Sequence, residues 1–313
     1  FAYNNYVKYS TQAAAVKNKE KEAAIKKFRK GFNEVPYRYA QLTNEMKKTG
    51  NECLLLLGDD GQFTDLAQQE TKIANEKMLL SKYTAQSEVV AKVVTEAFNR
   101  LWKIADAYRK GEMKEQEVLV DKFYKAIIHY ANMETGRNNA APRFHASCFA
   151  IPTAAVNIYF SLLQQMDKAE AGKSNQAYVN DACVLLKQVA LQCWTQPLRN
   201  DSTDKNVVQI ERFRNHVWWV GGNALAYRSL LPVAFMYKSI PMIDLLSEVC
   251  LRGISQTSQA TYHESFWIEG FTADGAGWGH GKQCLVWGYP IDGGNNALNM
   301  LVMLQGSPWE KKL

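Results

Sequence analysis

At 313 residues, with 47% hydrophobic and 22% charged residues, the chain has an ordinary globular balance and length enough for one large core or two smaller ones. No apolar run, Leu54–Leu57 included, exceeds five residues, far short of the ~20 that span a bilayer, so no membrane insertion is expected. Lysines and arginines outnumber acidic residues 37 to 31, and the resulting +6 charge favours a polyanion without choosing among nucleic acid, anionic lipid and acidic polysaccharide.

From the N-terminus, residues 11–48 are rich in Ala, Lys and Glu, with Ile25, Phe28 and Phe32 at helical spacing and an interruption at Pro36, so the pattern predicts two helices. Seven of the 37 basic residues fall between Lys17 and Lys30, interleaved with Glu20 and Glu22, and read as a solvated helix face. Phe1 carries no charged start followed by an apolar segment, so a signal peptide is not present in this chain. Gly58-Asp59-Asp60-Gly61 predicts a loop. The next helix, 84–108, places Val90, Val94, Phe98, Leu101, Trp102 and Ala105 on one stripe and ends at Lys110-Gly111.

Further helices are expected over 115–132, 148–168, 175–194, 223–237 and 240–256, with no strand alternation between them. The fold class is therefore all-α, with helix pairs forming a bundle, a solenoid or a ring of hairpins. The six cysteines, Cys53, Cys148, Cys183, Cys193, Cys250 and Cys284, form no Cys-x-x-Cys pair and no zinc-ligand cluster, and most read as buried small hydrophobes.

After about Ser258 the character changes. Gly270, Gly275, Gly277, Gly279, Gly281, Gly288, Gly293 and Gly294 crowd a segment that also holds Trp267, Trp278, Trp287, His280 and Tyr289, and such a stretch is not expected to be helical. A glycine-rich loop carrying aromatics and a histidine on a rigid scaffold is a natural place for chemistry. His280 and Tyr289, nine positions apart, are candidates for converging proton acceptor and donor. Gly221-Gly222-Asn223 places Asn223 at the start of the expected 223–237 helix, where it serves either as an N-cap or as an amide that binds a substrate carboxylate.

These segments resemble polysaccharide lyase family 8, the chondroitin and hyaluronate lyases. Val220-Gly221-Gly222-Asn223 with Leu230-Leu231 is similar to the family's asparagine segment, and Asp274-Gly275 through His280, with Gly288-Tyr289, to its histidine and tyrosine segment. Asp60-Gly61-Gln62-Phe63-Thr64-Asp65-Leu66 resembles its opening motif, Asn99–Tyr108 its first long helix, Phe144–Asn157 the segment with its paired-tryptophan patch, and Leu304–Trp309 its closing motif. Phe144-His145 stands where the family has two tryptophans, and Cys148 where it has an acidic residue.

The resemblance implies an incomplete (α/α) toroid of antiparallel helix hairpins over 58–313, preceded by N-terminal helices over 1–57, with the glycine- and aromatic-rich loop region at the active site. The family's following β-sandwich domains, and the arginine and glutamate that support its tyrosine, are expected to lie beyond this chain. It further implies a secreted or periplasmic monomer without cofactor or metal, acting on an acidic polysaccharide rather than nucleic acid. Asn223, His280 and Tyr289 are the expected catalytic residues, with Trp218, Trp219, Trp278, His145 and Phe144 binding substrate; His129, His216 and His263 read as structural or surface. Two rivals are a glycoside hydrolase using carboxylates such as Glu264, Glu269 and Asp274, and a non-catalytic polysaccharide-binding protein.

Overall fold

The computed structural model describes residues 18–34, 48–75, 85–135, 145–194, 225, 227–255, 270–271, 274–279, 283–284 and 288–312. Numbered along the chain, the α-helices are α1 (Lys19–Gly31), α2 (Gly50–Leu55), α3 (Thr64–Asn75), α4 (Ala85–Arg109), α5 (Glu115–Val118), α6 (Asp121–Thr135), α7 (Ile151–Ser161), α8 (Leu163–Glu170), α9 (Val179–Leu191), α10 (Leu230–Met236), α11 (Ile240–Ser255) and α12 (Tyr289–Met303). Three short strands, β1 (Gly270–Phe271), β2 (Gly277–Gly279) and β3 (Gln283–Cys284), form an antiparallel sheet in the order β1-β2-β3, an element the strand-free reading of the sequence did not include. The described residues are otherwise predominantly helical, and the chain divides into two compact units: Ala40–Arg199, and Phe1–Tyr39 with Asn200–Leu313.

In the unit Ala40–Arg199, α4 packs against α2, α3, α6 and α7. Its stripe is as the sequence spaces it: Val94, Phe98, Leu101, Trp102 and Ala105 are buried, with Val90 half-buried at the edge. The loop before α3 is pressed onto α6. Gly61 takes φ +83°, and a Cβ there would come within 2.7 Å of the Lys125 backbone, so both conformation and space demand glycine. Asp60 accepts from the Gln62 N–H at 3.0 Å, and the Phe63 N–H donates to the Tyr130 hydroxyl at 2.9 Å. Asp65 then takes a bidentate pair from Arg100, at 2.7 and 2.8 Å, while Arg100 Nε reaches Glu96 at 2.8 Å and the guanidinium sits 5.2 Å over the Phe63 ring.

The expected 115–132 helix is broken: α5 stops at Val118, and Asp121 opens α6 after the buried Val118 and Leu119. The expected 148–168 helix is likewise two, preceded by a π-helical turn, Ala146–Ala150, and bent by 88° at Leu162. Every residue of α7 is buried, whereas α8 exposes Gln164, Asp167 and Lys168. A straight continuation would carry these polar residues onward in the direction of a fully buried helix; the bend turns them to solvent. The expected 175–194 helix begins at Val179, after Tyr178 in a left-handed conformation at φ 68°, and ends in a 3-10 turn, Gln192–Trp194. Among the described residues no single helix is long and apolar enough to cross a membrane.

Two carboxyls in this unit are held below the ordinary value of 3.8: Asp65 by its hydrogen bonds from Arg100, and Asp106 because hydrogen bonds from Lys110 and Arg109 outweigh the upward push of burial. A depressed folded-state pKa contributes stability that is complete above the unfolded value and lost as pH falls through the folded one. Denaturant midpoints should therefore be flat down to about pH 4 as far as these groups are concerned, then fall, with a shallower acid limb in Asp106→Asn. An unchanged acid limb in that variant contradicts the assignment.

In the other unit, α12 packs on α11 and beside β2, and α1 packs on α10. The basic run of α1 is a solvated face at Lys19, Lys26, Lys27 and Lys30, but Arg29 is buried and donates to the carbonyls of Phe235 and Met236, at 2.9 and 3.1 Å. It thus supplies partners for the carbonyls that end α10. Phe28 stacks on Phe235 at 4.9 Å. Asp244 of α11 receives both Lys21 Nζ and the Trp309 indole N–H at 2.6 Å, which anchors the chain after α12. None of the six cysteines is in a disulfide; Cys53, Cys148, Cys183, Cys193 and Cys250 are buried and Cys284 is exposed.

The 223–237 helix starts seven residues later than expected, at Leu230 with Ser229 as N-cap; Asn223 does not cap it. Pro232 is the reason. In a helix begun at 223 its ring would clash with the Arg228 carbonyl, whereas in α10 it lies in the first turn, where its missing N–H costs nothing. The helix ends in a Schellman motif, with Lys238 N–H bonded to Phe235 O and Ser239 N–H to Ala234 O, both 3.1 Å, and Lys238 left-handed at φ 54°. Glycine fits that position better, so Lys238→Gly is expected to stabilise by about 0.5–1 kcal/mol in denaturant melts; a loss of stability there would refute the strain at Lys238.

The glycine-rich stretch is also corrected, because its last part is helical. Gly288 at φ 78° turns the chain, Pro290 fits the first turn of α12, and Gly293 and Gly294 are interior helix residues. Pro290, Gly293, Gly294, Ala297, Met300, Leu301 and Leu304 are buried at helical spacing, and packing of that face offsets the roughly 1 kcal/mol each glycine costs.

Candidate functional site

Three described pieces of the second unit meet around the start of α12. Tyr289 is its first residue, following Gly288 and preceding Pro290. Strand β2 lies beside the helix, with Trp278 at its centre in register with Gly270 of β1 and Cys284 of β3. Gly279, the residue before His280 in the chain, is the last residue of β2.

The third piece is the turn around Tyr227. Asn296 of α12, buried at 8% exposure, donates its amide to Leu225 O at 2.5 Å and Arg228 O at 3.0 Å, while the Tyr227 hydroxyl donates to the Asp292 carboxylate. Positions 289, 292 and 296 fall on one face of α12 at i, i+3 and i+7.

Asn223 and His280 themselves lie outside the described residues, as do Trp218, Trp219, Phe144, His216, His263, Glu264 and Glu269. His145 is exposed in the unit Ala40–Arg199, ahead of the π-helical turn, with its ring edge-on to Phe149 at 5.5 Å. It borders an open groove of about 680 Å³ that Asp65, Leu66, Lys92, Arg100 and Ala146 also line. His129 is structural, as its pattern suggests: Nε2 pairs with Glu70 at 2.8 Å and the ring packs edge-on against Tyr130. Asp274, a candidate hydrolase carboxylate, is exposed and accepts from the Ala276 N–H at 3.1 Å, which is turn chemistry.

Sequence reasoning missed Tyr227, Asp292 and Asn296. The signal was present in the spacing from Tyr289, but it is readable only once 289–303 is recognised as a helix. Among the described residues no group of three or more His, Cys, Asp or Glu is placed to hold a metal ion. The chain matches no known family model, no curated protein and no solved structure.

Proposed function

We propose that the protein is a polysaccharide lyase that cleaves a uronate-containing acidic polysaccharide by β-elimination, on helices belonging to an incomplete (α/α) toroid. The carrying observation is the attachment of the turn after Asn223 to the face of α12 that begins at Tyr289, with Gly279, the neighbour of His280, on the adjacent strand. The ordered resemblance from Asp60 to Trp309 supports the same reading.

The chemistry sets the roles. The C5 proton of a uronate is weakly acidic, and charge builds on its carboxyl as that proton leaves, so a donor to the carboxyl lowers the barrier. Asn223 supplies the amide. Tyr289, as phenolate, takes the C5 proton and returns it to the leaving O4; the C5–H and C4–O4 bonds break and the C4–C5 double bond forms. His280 polarises the site or acts as base for the opposite epimer, and Trp218, Trp219, Trp278, His145 and Phe144 bind sugar rings. The first residue of a helix lies at the positive end of the macrodipole, which favours a phenolate there.

Digestion of chondroitin, dermatan, hyaluronan, heparin-type and plant or algal uronates is expected to release ultraviolet-absorbing unsaturated ends from at least one of them. New reducing ends without that absorbance would indicate a hydrolase, and binding without cleavage a non-catalytic module.

A further inference from the structure

We propose that the exposed face of α1 is a docking surface for an acidic polysaccharide, a grip on the polymer that takes no part in the chemistry. The choice of polysaccharide rests partly on the lyase reading above; the surface itself rests on α1. That helix holds six basic and two acidic residues, so thirteen residues carry four of the chain's six net positive charges. Two of its cations are used inside the unit: Arg29 on the Phe235 and Met236 carbonyls, and Lys21 on Asp244 at 2.6 Å. Lys19, Lys26, Lys27 and Lys30 are exposed and, among the described residues, take part in no hydrogen bond or ion pair.

These four lysines share one face. With about 100° of turn per residue, Lys19, Lys26 and Lys30 fall within roughly 40° of arc over roughly 16 Å of axis, with Ala23 exposed among them and Lys27 at one edge. The opposite face is docked: Ile25, Arg29 and Phe32 are buried, and Phe28 stacks on Phe235 at 4.9 Å. Asn18 caps the first turn by accepting from the Lys21 N–H at 3.0 Å. The stripe is therefore formed in advance, and a bound chain has lysine side chains to order but no backbone.

The surroundings of the stripe select its partner. Glu20 and Glu22 lie on its two shoulders, where a helix lying on a membrane carries Trp, Phe or Leu to insert, and both phenylalanines of α1 and its following turn face inward. Duplex nucleic acid carries a charge every ~1.7 Å of axis across a width that would set phosphates against both glutamates, and the one arginine of α1 is buried. A uronate polysaccharide is a narrow strand whose carboxylates or sulfates are set apart along it. A single file of lysine point charges between acidic shoulders suits that pattern.

Binding of end-labelled chondroitin sulfate, read by fluorescence anisotropy in a Tyr289→Phe background to keep chains whole, tests the surface. In Lys19→Gln/Lys26→Gln/Lys27→Gln/Lys30→Gln, helix propensity is kept and melting should stay near the parent, while Kd rises about ten- to thirtyfold. The slope of log Kd against log salt should flatten by about 2, somewhat less than four contacts give on a single-stranded nucleic acid. The corresponding Lys→Arg variant should bind within about twofold of the parent, and Glu20→Gln/Glu22→Gln about two- to fivefold tighter, a gain that loss of folding cannot mimic. No binding by the parent, or a parental Kd in the Gln variant, overturns the docking surface. So does a parent that holds duplex DNA or phosphatidylserine vesicles more tightly than chondroitin sulfate through the same lysines. Absence of unsaturated ends from every uronate overturns the lyase reading instead, and leaves the binding comparison to decide the surface by itself.

Discussion

Tyr289→Phe is expected to reduce unsaturated product by about 10²–10⁴-fold while leaving polysaccharide binding largely intact. The proposed reaction needs one group to accept the C5 proton and then protonate O4, and phenylalanine does neither. The substitution is otherwise mild, since the two residues have similar helix propensities and Gly288 and Pro290 still start α12. Melting temperature and ligand-induced fluorescence should therefore stay near the parent values while the chromophore disappears. Undiminished product from Tyr289→Phe ends the proposed proton-transfer role.

What was legible in the sequence follows from how each feature is encoded. Helix α4 was read almost to the residue because a long amphipathic segment repeats its signal over seven turns, and Lys110-Gly111 marks its end. The bend at Leu162 was not legible: it contains neither Gly nor Pro, and what turns the chain is the change from an all-buried to a half-polar surface. The late start of α10 was encoded by Pro232, whose restriction on the preceding turn outweighs the glycine pair before Asn223 as a boundary signal. At the site, glycines pointed towards a loop, yet Gly293 and Gly294 lie on the buried stripe of α12, and Gly294 faces β1: a Cβ there would meet the Phe271 ring at 3.8 Å. Intrinsic propensity is the weaker prior whenever a packed face runs through the segment. The same misreading hid Asp292 and Asn296, because their common face with Tyr289 exists only in a helix.

The largest stability effect is expected from Asp65, and it runs against intuition about exposure. Asp65 is 43% exposed, whereas its partner Arg100 is 5% exposed. Burial by itself disfavours the Arg100 cation, yet hydrogen bonds with Asp65 and Glu96 raise its pKa overall, so the guanidinium stays charged. Asp65→Ala leaves that buried charge with Glu96 alone, and breaking such a pair from the exposed side should cost about 3 kcal/mol, or roughly 6–12 °C in melting temperature. Arg100→Met should cost less. It removes the buried charge, keeps an apolar stem against Phe63, and leaves two carboxylates exposed enough to rehydrate. The double variant Asp65→Ala/Arg100→Met should then be more stable than Asp65→Ala alone, a sign reversal that pairwise additivity forbids. Urea melts of the three variants measure it directly. A double variant at the sum of the single losses would mean that Arg100 acts through packing, with its charge already satisfied by Glu96.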